Sequence, residues 1–296
     1  MIVGVHGIAQ QQVTRQQLVR DWDPAPTGSI DLRQIEAAAA GEQFGPPGDP
    51  DFTLAFYGHL FPTPAGPGRL SATDGAGLDD LHPDEIEDML TAARQVLTDD
   101  EIAAAERQPP LAGHLNTPLL LQAVLRALDA RFGRAAGVLY LGTLRQVRRY
   151  LRDPGTKARV DAIVDATVTP DTRILVGHAL GSVVALEYVR RHPEHDLDLL
   201  LTLGSPLGLT SVQTRLPVPF FGTHTGLPPT VETWVNVRDR RDPVASAGDL
   251  NAWWSGVDDR HVENGADAHS VHRYLGKPQS HSAIDAVKTR GARQVA

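Results

Sequence analysis

The run ILVGHALGSVVALEYV at 174–189 restricts the fold more than any other part of the chain. It reads as a buried strand, a turn with glycine on either side and a helix. A strand that feeds straight into a helix forces the joining residue into a sharp, strained turn and lifts its side chain above the carboxyl edge of a parallel sheet. Gly177 and Gly181 stand two before and two after Ala179, leaving room where a Cβ would meet neighbouring backbone. The first amides of the helix then point at whatever is bonded to the raised side chain. On its glycines alone, the turn is equally well a tight joint that needs small residues for packing. A phosphate loop does not fit, because neither Lys-Ser nor Lys-Thr follows Gly181, and the dinucleotide fingerprint needs a different glycine spacing.

Around this unit the chain alternates apolar strands with helices. IVGV at 2–5 is a short β-branched run of the kind buried in a parallel sheet. Val13, Leu18, Val19 and Trp22 fall near helical spacing until Pro24 and Pro26, and a second short helix is expected over 31–40. The aromatic and aliphatic stretch 51–61 suggests a second strand. A Pro/Gly-rich loop opens the region 62–169, followed by helical segments at 83–97, 99–106, 118–132 and 141–151, the last continuing over 156–168. Strands are expected again at 173–177, 197–203 and 232–237, with a helix over 180–191. This order predicts an α/β fold: a mostly parallel sheet with helices on both faces, one domain over 1–296 with a helical, cap-like insertion at 62–169.

Composition narrows the function classes. With 41% hydrophobic and 22% charged residues the chain is typical of a soluble globular protein. Asp and Glu outnumber Lys and Arg by 36 to 28, for a net charge of −8, so no nucleic-acid partner is expected. The basic clusters at 145–152 and 238–241 are short and read as solvated faces. The count of 0 Cys excludes disulfides, thiolate nucleophiles and Cys-ligated metal. The first residues lack the basic flank of a signal peptide, and no segment approaches the roughly 20 apolar residues that span a bilayer. The expectation is a cytoplasmic protein without a membrane span.

VGHALGSVVALEYV resembles the nucleophile elbow of the α/β-hydrolase superfamily, in its esterase/lipase-like branch, where Gly-His-Ser-Leu-Gly-Ser is a common form. Further similar segments follow in the same order as in that family. VHGIAQQ resembles the His-Gly loop after an early strand, and LTLGSPLGL the segment after the strand that follows the elbow. NVRDRRDPVA is similar to the loop carrying the acid, and DAHSVHRYL to the segment carrying the histidine. The resemblance covers the sheet and leaves out 62–169. It departs from the family at one atom, because Ala179 stands where the motif has serine, and this puts covalent catalysis in doubt.

The resemblance implies the roles. A hydroxyl nucleophile needs a base, the base an orienting carboxylate and the oxyanion two amides. Ala179, Asp242 and His269 follow the family's chain order of nucleophile, acid and histidine. Asp239 competes for the acid, with partnership to Arg238 or Arg241 as its simpler explanation. His272 stays open as the base, although the pattern of histidine, serine and then tyrosine begins at His269; His261 and His281 read as surface residues. The amides of Leu180 and Ile8 would form the oxyanion hole. His6 reads as a packing and hydrogen-bonding residue, and Ser182 and Ser205 lie off the apex. Asp258, Asp259, His261, Asp267, His269 and His272 cluster in sequence but lack metal-ligand spacing, so no metal or cofactor is expected.

The expected activity is hydrolysis of an acyl ester or related carbonyl compound with an apolar portion. The insertion and the segment 216–229, with Phe220 and Phe221 between prolines, would line the pocket. Two accounts fit the alanine. Either it replaces a native serine and silences the enzyme, which accounts for all the retained features together, or the chain is a natural pseudo-hydrolase that binds a ligand or partner without turnover.

Overall fold

The computed structural model describes residues 1–7, 22, 52–61, 81–109, 117–217 and 226–295. The segments 13–21 and 31–40, the loop 62–80, Ile8, Phe220 and Phe221 lie outside the described residues. Strands β1 (Ile2–Val5), β2 (Phe52–Ala55), β3 (Ile174–His178), β4 (Leu197–Leu203), β5 (Val231–Asp239) and β6 (Asp258–Val262) form a single sheet. Their order is β2-β1-β3-β4-β5-β6, and every neighbouring pair is parallel.

Parallel neighbours need crossover connections, which place helices on the sheet faces. The central strands β1, β3 and β4 are accordingly runs of Ile, Val and Leu buried almost throughout. Helices α1 (Pro83–Ala93), α2 (Asp99–Glu106), α3 (Leu119–Phe132), α4 (Ala136–Arg152) and α5 (Pro154–Thr167) lie between β2 and β3. Helix α6 (Leu180–Arg191) joins β3 to β4, and the short α7 (Thr210–Gln213) follows β4. Helices α8 (Val271–Leu275) and α9 (Pro278–Val295) follow β6. None of the described helices is long and apolar enough to cross a membrane.

Because side chains alternate along a strand, the sheet feeds two cores. On one face Val3, Val5, Leu175, Leu200 and Trp234 pack with α1 to α6. On the other, Ile174, Val176, Leu199, Leu201, Val235 and Val237 meet Tyr274 of α8 and Ala283, Ile284 and Val287 of α9. The α/β class read from the sequence is therefore the observed one. Helix α5 packs on α6 and β2, and α4 on α5 and α6, so the described helices between β2 and β3 join the layer over one face.

Buried polar groups fix both layers. Glu187 of α6, with no side-chain exposure, is held by Lys157 of α5 at 3.0 Å and Arg190 at 2.9 Å. Lys157 also pairs with Asp161 at 2.8 Å, whose carboxylate accepts from Tyr150 of α4. Such a network adds less to stability than its contacts suggest, since its members lose hydration, but removing one partner strands a buried charge. Across the sheet, Trp234 Nε1 donates to Thr202 Oγ1 at 3.0 Å and Thr202 to Asn236 Oδ1 at 2.9 Å. Asn236 in turn donates to Asp259 at 2.7 Å, tying β4 and β5 to the edge strand β6.

Several element limits differ from expectation. Strand β2 ends at Ala55, and a 3-10 turn at Gly58–Leu60 replaces its expected continuation. The Tyr57 amide leaves the ladder to donate to His6 Nε2 at 2.9 Å. Helix α4 begins at Ala136, earlier than residue 141, because Asp129 accepts from the Gly137 amide at 2.8 Å and starts the helix on residues with little hydrophobic signal. Strand β6, with the polar sequence DDRHV, and the largely polar α9 have no counterpart in the sequence reading.

Candidate active site

From β1 the chain moves outward to β2 on one side and then returns to β3 on the other side of β1. Such a reversal leaves a crevice outside the carboxyl ends of the two strands, where open α/β sheets bind ligands. His6 and Gly7 leave β1 at this point, and Ala179 leaves β3 beside them.

Ala179 has φ 50° and ψ −122°, a strained conformation for a residue with a Cβ. The surroundings hold it there. Its amide donates to Leu203 O of β4 at 3.1 Å, and its carbonyl accepts from the Ser182 amide at 3.0 Å and from Ser182 Oγ at 2.6 Å. The flanking glycines permit close approach: a Cβ at Gly181 would lie 1.9 Å from Val5 O, and one at Gly177 would lie 2.6 Å from Ser182 Cα. A Cβ at Gly7 would stand 2.6 Å from the Ala179 methyl. Leu180, first residue of α6, has an amide without an intrahelical acceptor. Ala179 is fully enclosed yet belongs to neither core cluster. Its burial differs from the raised, accessible position expected of an elbow.

Asp242 and His269 come together from loops after β5 and β6. His269 Nδ1 lies 2.8 Å from Asp242 Oδ2 and 2.9 Å from Oδ1, so Nδ1–H donates to the carboxylate and Nε2 is left as the acceptor. Nε2 is buried and has no hydrogen-bond partner among the described residues. The fully buried Asp242 also accepts from Tyr274 Oη at 2.7 Å and from the Val244 amide at 2.9 Å. Burial, reinforced by the Asp242 charge, pushes the Tyr274 hydroxyl well above the usual tyrosine range, so it remains a donor. Gly204, at φ 52°, lets this pair close on the end of β4; a Cβ there would lie 2.7 Å from Asp242 Oδ2 and 3.3 Å from His269 Nδ1. Tyr274→Phe strips a donor from Asp242 and an acceptor from the Asp239 amide, 2.9 Å from the hydroxyl. Denaturant unfolding is expected to show a loss of about 1–3 kcal/mol.

Two further histidines lie at the carboxyl ends of β1 and β3. His178, the residue before Ala179, donates from Nε2 to the His269 carbonyl at 2.9 Å, and the two rings lie 4.6 Å apart. Burial, with the neighbouring His269, holds its pKa well below the usual range, so His178 is neutral and Nδ1 is a bare acceptor. His6 is satisfied on both nitrogens: Nδ1–H donates to Gly7 O at 2.7 Å, and Nε2 accepts from the Tyr57 amide. Burial lowers its pKa from 6.5 to about 4. Between these values the unfolded chain binds the proton and the folded chain does not, so stability rises with pH. His6 leaves stability whole above the unfolded value and removes roughly 3 kcal/mol of it as pH falls through the folded one. Urea melts between about pH 7.5 and pH 4.5 are expected to show this slope, and His6→Gln to reduce it.

The other candidates take up different positions. Asp239 accepts from the amides of Arg241 and Asn264, joining the loops after β5 and β6, and meets no histidine among the described residues. His272 is exposed on α8. His261 pairs with Asp249 at 2.9 Å, and His281 is partly buried on α9. Asp259 accepts from Asn236 and from the amides of Leu250 and Asn251, and Asp258 pairs with Arg260. Among the described residues no cluster of three or more His, Asp or Glu could hold a metal. Ser182 and Ser205 hydroxyls lie 2.6 Å apart, buried and engaged with each other. The sequence reading did not single out His178 or assign Tyr274 a contact; adjacency to the elbow and the HSVHRY spacing were the available signals. No protein-family model, curated protein or solved structure matches the chain.

Proposed function

We propose that the chain carries the site of a serine hydrolase of the α/β-hydrolase type, shaped for an acyl ester or related carbonyl compound. In this reading Ala179 replaces the serine that would form an acyl-enzyme. The observation that carries it is the conjunction of a strained apex at residue 179 with the His269 imidazole, which is locked by Asp242, tied through His178 to the strand end before that apex, and left with a buried Nε2 that has no partner among the described residues. Neither feature is needed for a plain strand-to-helix joint.

In the serine form His269 would take the hydroxyl proton as oxygen attacks the carbonyl carbon. The Leu180 amide, with that of Ile8 expected opposite it, would hold the developing oxyanion. Asp242 keeps the proton on Nδ1 and stabilises the imidazolium. Collapse expels the alcohol with the proton from Nε2, and water activated by the same nitrogen releases the acid. Thioesters, amides and acyl transfer would use the same groups. Ala179 itself is fully enclosed, which counts against open access to the site.

A noncatalytic binding module is the second reading, favoured by that same enclosure and by the methyl at the apex. Comparing the chain with its Ala179→Ser variant on a short-chain p-nitrophenyl ester separates them. Turnover with a burst in the variant supports the hydrolase site, whereas a folded variant that is inert supports the module.

A further inference from the structure

Tyr274 is buried in the core formed with α8 and α9, a place that Phe would fill without an oxygen to satisfy. Its hydroxyl is engaged on both sides: it accepts from the Asp239 amide at the end of β5 at 2.9 Å and donates to Asp242 Oδ2 at 2.7 Å. Each oxygen of Asp242 therefore carries one fixed donor, Oδ2 the Tyr274 hydroxyl and Oδ1 the Val244 amide at 2.9 Å. His269 Nδ1 lies 2.8 Å from Oδ2 and 2.9 Å from Oδ1, so its proton is shared between the two. The end of β4 closes on this group, where a Cβ at Gly204 would lie 2.9 Å from Tyr274 Cε2. The other titratable neighbours are His178, which is neutral, and Asp239, whose carboxylate is taken up by the Arg241 and Asn264 amides.

Resting on the proposed site, we infer that Tyr274 is a positioning residue for the base: its O–H, set in register by the Asp239 amide, holds one carboxylate oxygen of Asp242 and takes up part of the charge offered to His269. A buried carboxylate that loses one donor concentrates its charge on those that remain. Without the hydroxyl, Nδ1–H would settle on Oδ2 alone, in a shorter and stronger bond. The imidazolium would then be favoured and the ring would keep its proton to higher pH. Less free base would be left on the acid side to take a hydroxyl proton, and Nε2–H would be a poorer donor to a leaving group. Tyr274 thus leaves Asp242 able to fix the tautomer while keeping the imidazole ready to release its proton. No bond forms or breaks at the phenol itself.

The test is proton NMR of the unaltered chain, in which an Nδ1–H bonded to a buried carboxylate gives a low-field resonance that Asp242→Asn removes. Tyr274→Phe keeps the ring and is expected to move that resonance farther downfield. Replacing tyrosine by 3-fluorotyrosine makes the phenol a stronger donor with nearly the same shape and is expected to move it upfield, which decides the matter even if the Phe variant fails to fold. In the Ala179→Ser background Tyr274→Phe is expected to lower p-nitrophenyl acetate turnover about tenfold on the acid side of the pH profile, with KM unchanged. A resonance that stays in place in both altered proteins, or an acid limb that does not move in an active serine form, would reduce Tyr274 to packing and overturn the inference. If Ala179→Ser is active in that case, the hydrolase site stands and only the role of Tyr274 falls. If Ala179→Ser is inert, the hydrolase reading falls and the resonance alone decides whether Tyr274 tempers the pair. A folded chain without the low-field resonance would contradict the Asp242–His269 bond and overturn both.

Discussion

Ala179→Ser is expected to raise p-nitrophenyl ester turnover by roughly 10⁴- to 10⁶-fold over the unaltered chain, the size of loss seen when a triad nucleophile is removed. The substitution adds one oxygen to a methyl whose backbone already has φ 50°, so no conformational change has to accompany it. The base needs no rebuilding either, since Asp242 holds His269 by Nδ1 and leaves Nε2 without a partner among the described residues. Stability is expected to shift by less than about 1 kcal/mol, because the serine inherits the backbone strain that the alanine already bears. Initial rates and thermal melts on the same preparations check both halves. A well-folded variant at the parent rate would mean that the imidazole does not reach the apex.

Gly181→Ala is expected to have the largest effect on the fold. Its Cβ would lie 1.9 Å from Val5 O, 2.6 Å from Val5 C and 2.7 Å from His6 O, all backbone atoms that cannot rotate away. Helix α6 would have to withdraw from β1, opening the core packed under Leu180, Val183 and Val184 and pulling the elbow away from the His6–Gly7 end. A loss of about 3–5 kcal/mol is expected, enough to unfold many domains of this size. Gly155→Ala serves as control: its nearest atom would be Asp153 Oδ1 at 3.4 Å, in a helix, and the change should be neutral or slightly stabilising. Urea unfolding of the two variants provides the comparison. Equal stability would place the helix farther from β1 than the glycine contact implies.

The parallel sheet was legible because its central strands are buried on both faces and therefore consist almost wholly of Ile, Leu and Val, without the alternation of a half-exposed strand. Strand β6 was not legible: at the sheet edge it carries Asp, Arg and His, and its place is set by pairing with β5 and by the Asn236–Asp259 bond. Helix α9 escaped for a related reason, since Ala283, Ile284 and Val287 give it a narrow apolar stripe within a polar run.

At the site, the proximity of Asp242 and His269 was anticipated from chain order and motif similarity. The motif favoured His269 over His272, and the structure sets His269 against Asp242 and leaves His272, three positions on, exposed. Tyr274 and His178 act through contacts across 32 and 91 positions of sequence, which no local pattern encodes. The enclosure of Ala179 was likewise invisible, being a property of the folded chain and of no local pattern.

Peptide mapping of the Ala179→Ser protein after reaction with a fluorophosphonate tests the central claim most directly. The expected result is a single phosphonylated peptide carrying the adduct at position 179, with labelling abolished by adding His269→Ala or Asp242→Asn. An adduct on Ser182 or Ser205, no adduct in a folded protein, or labelling that is just as fast without the imidazole would contradict it.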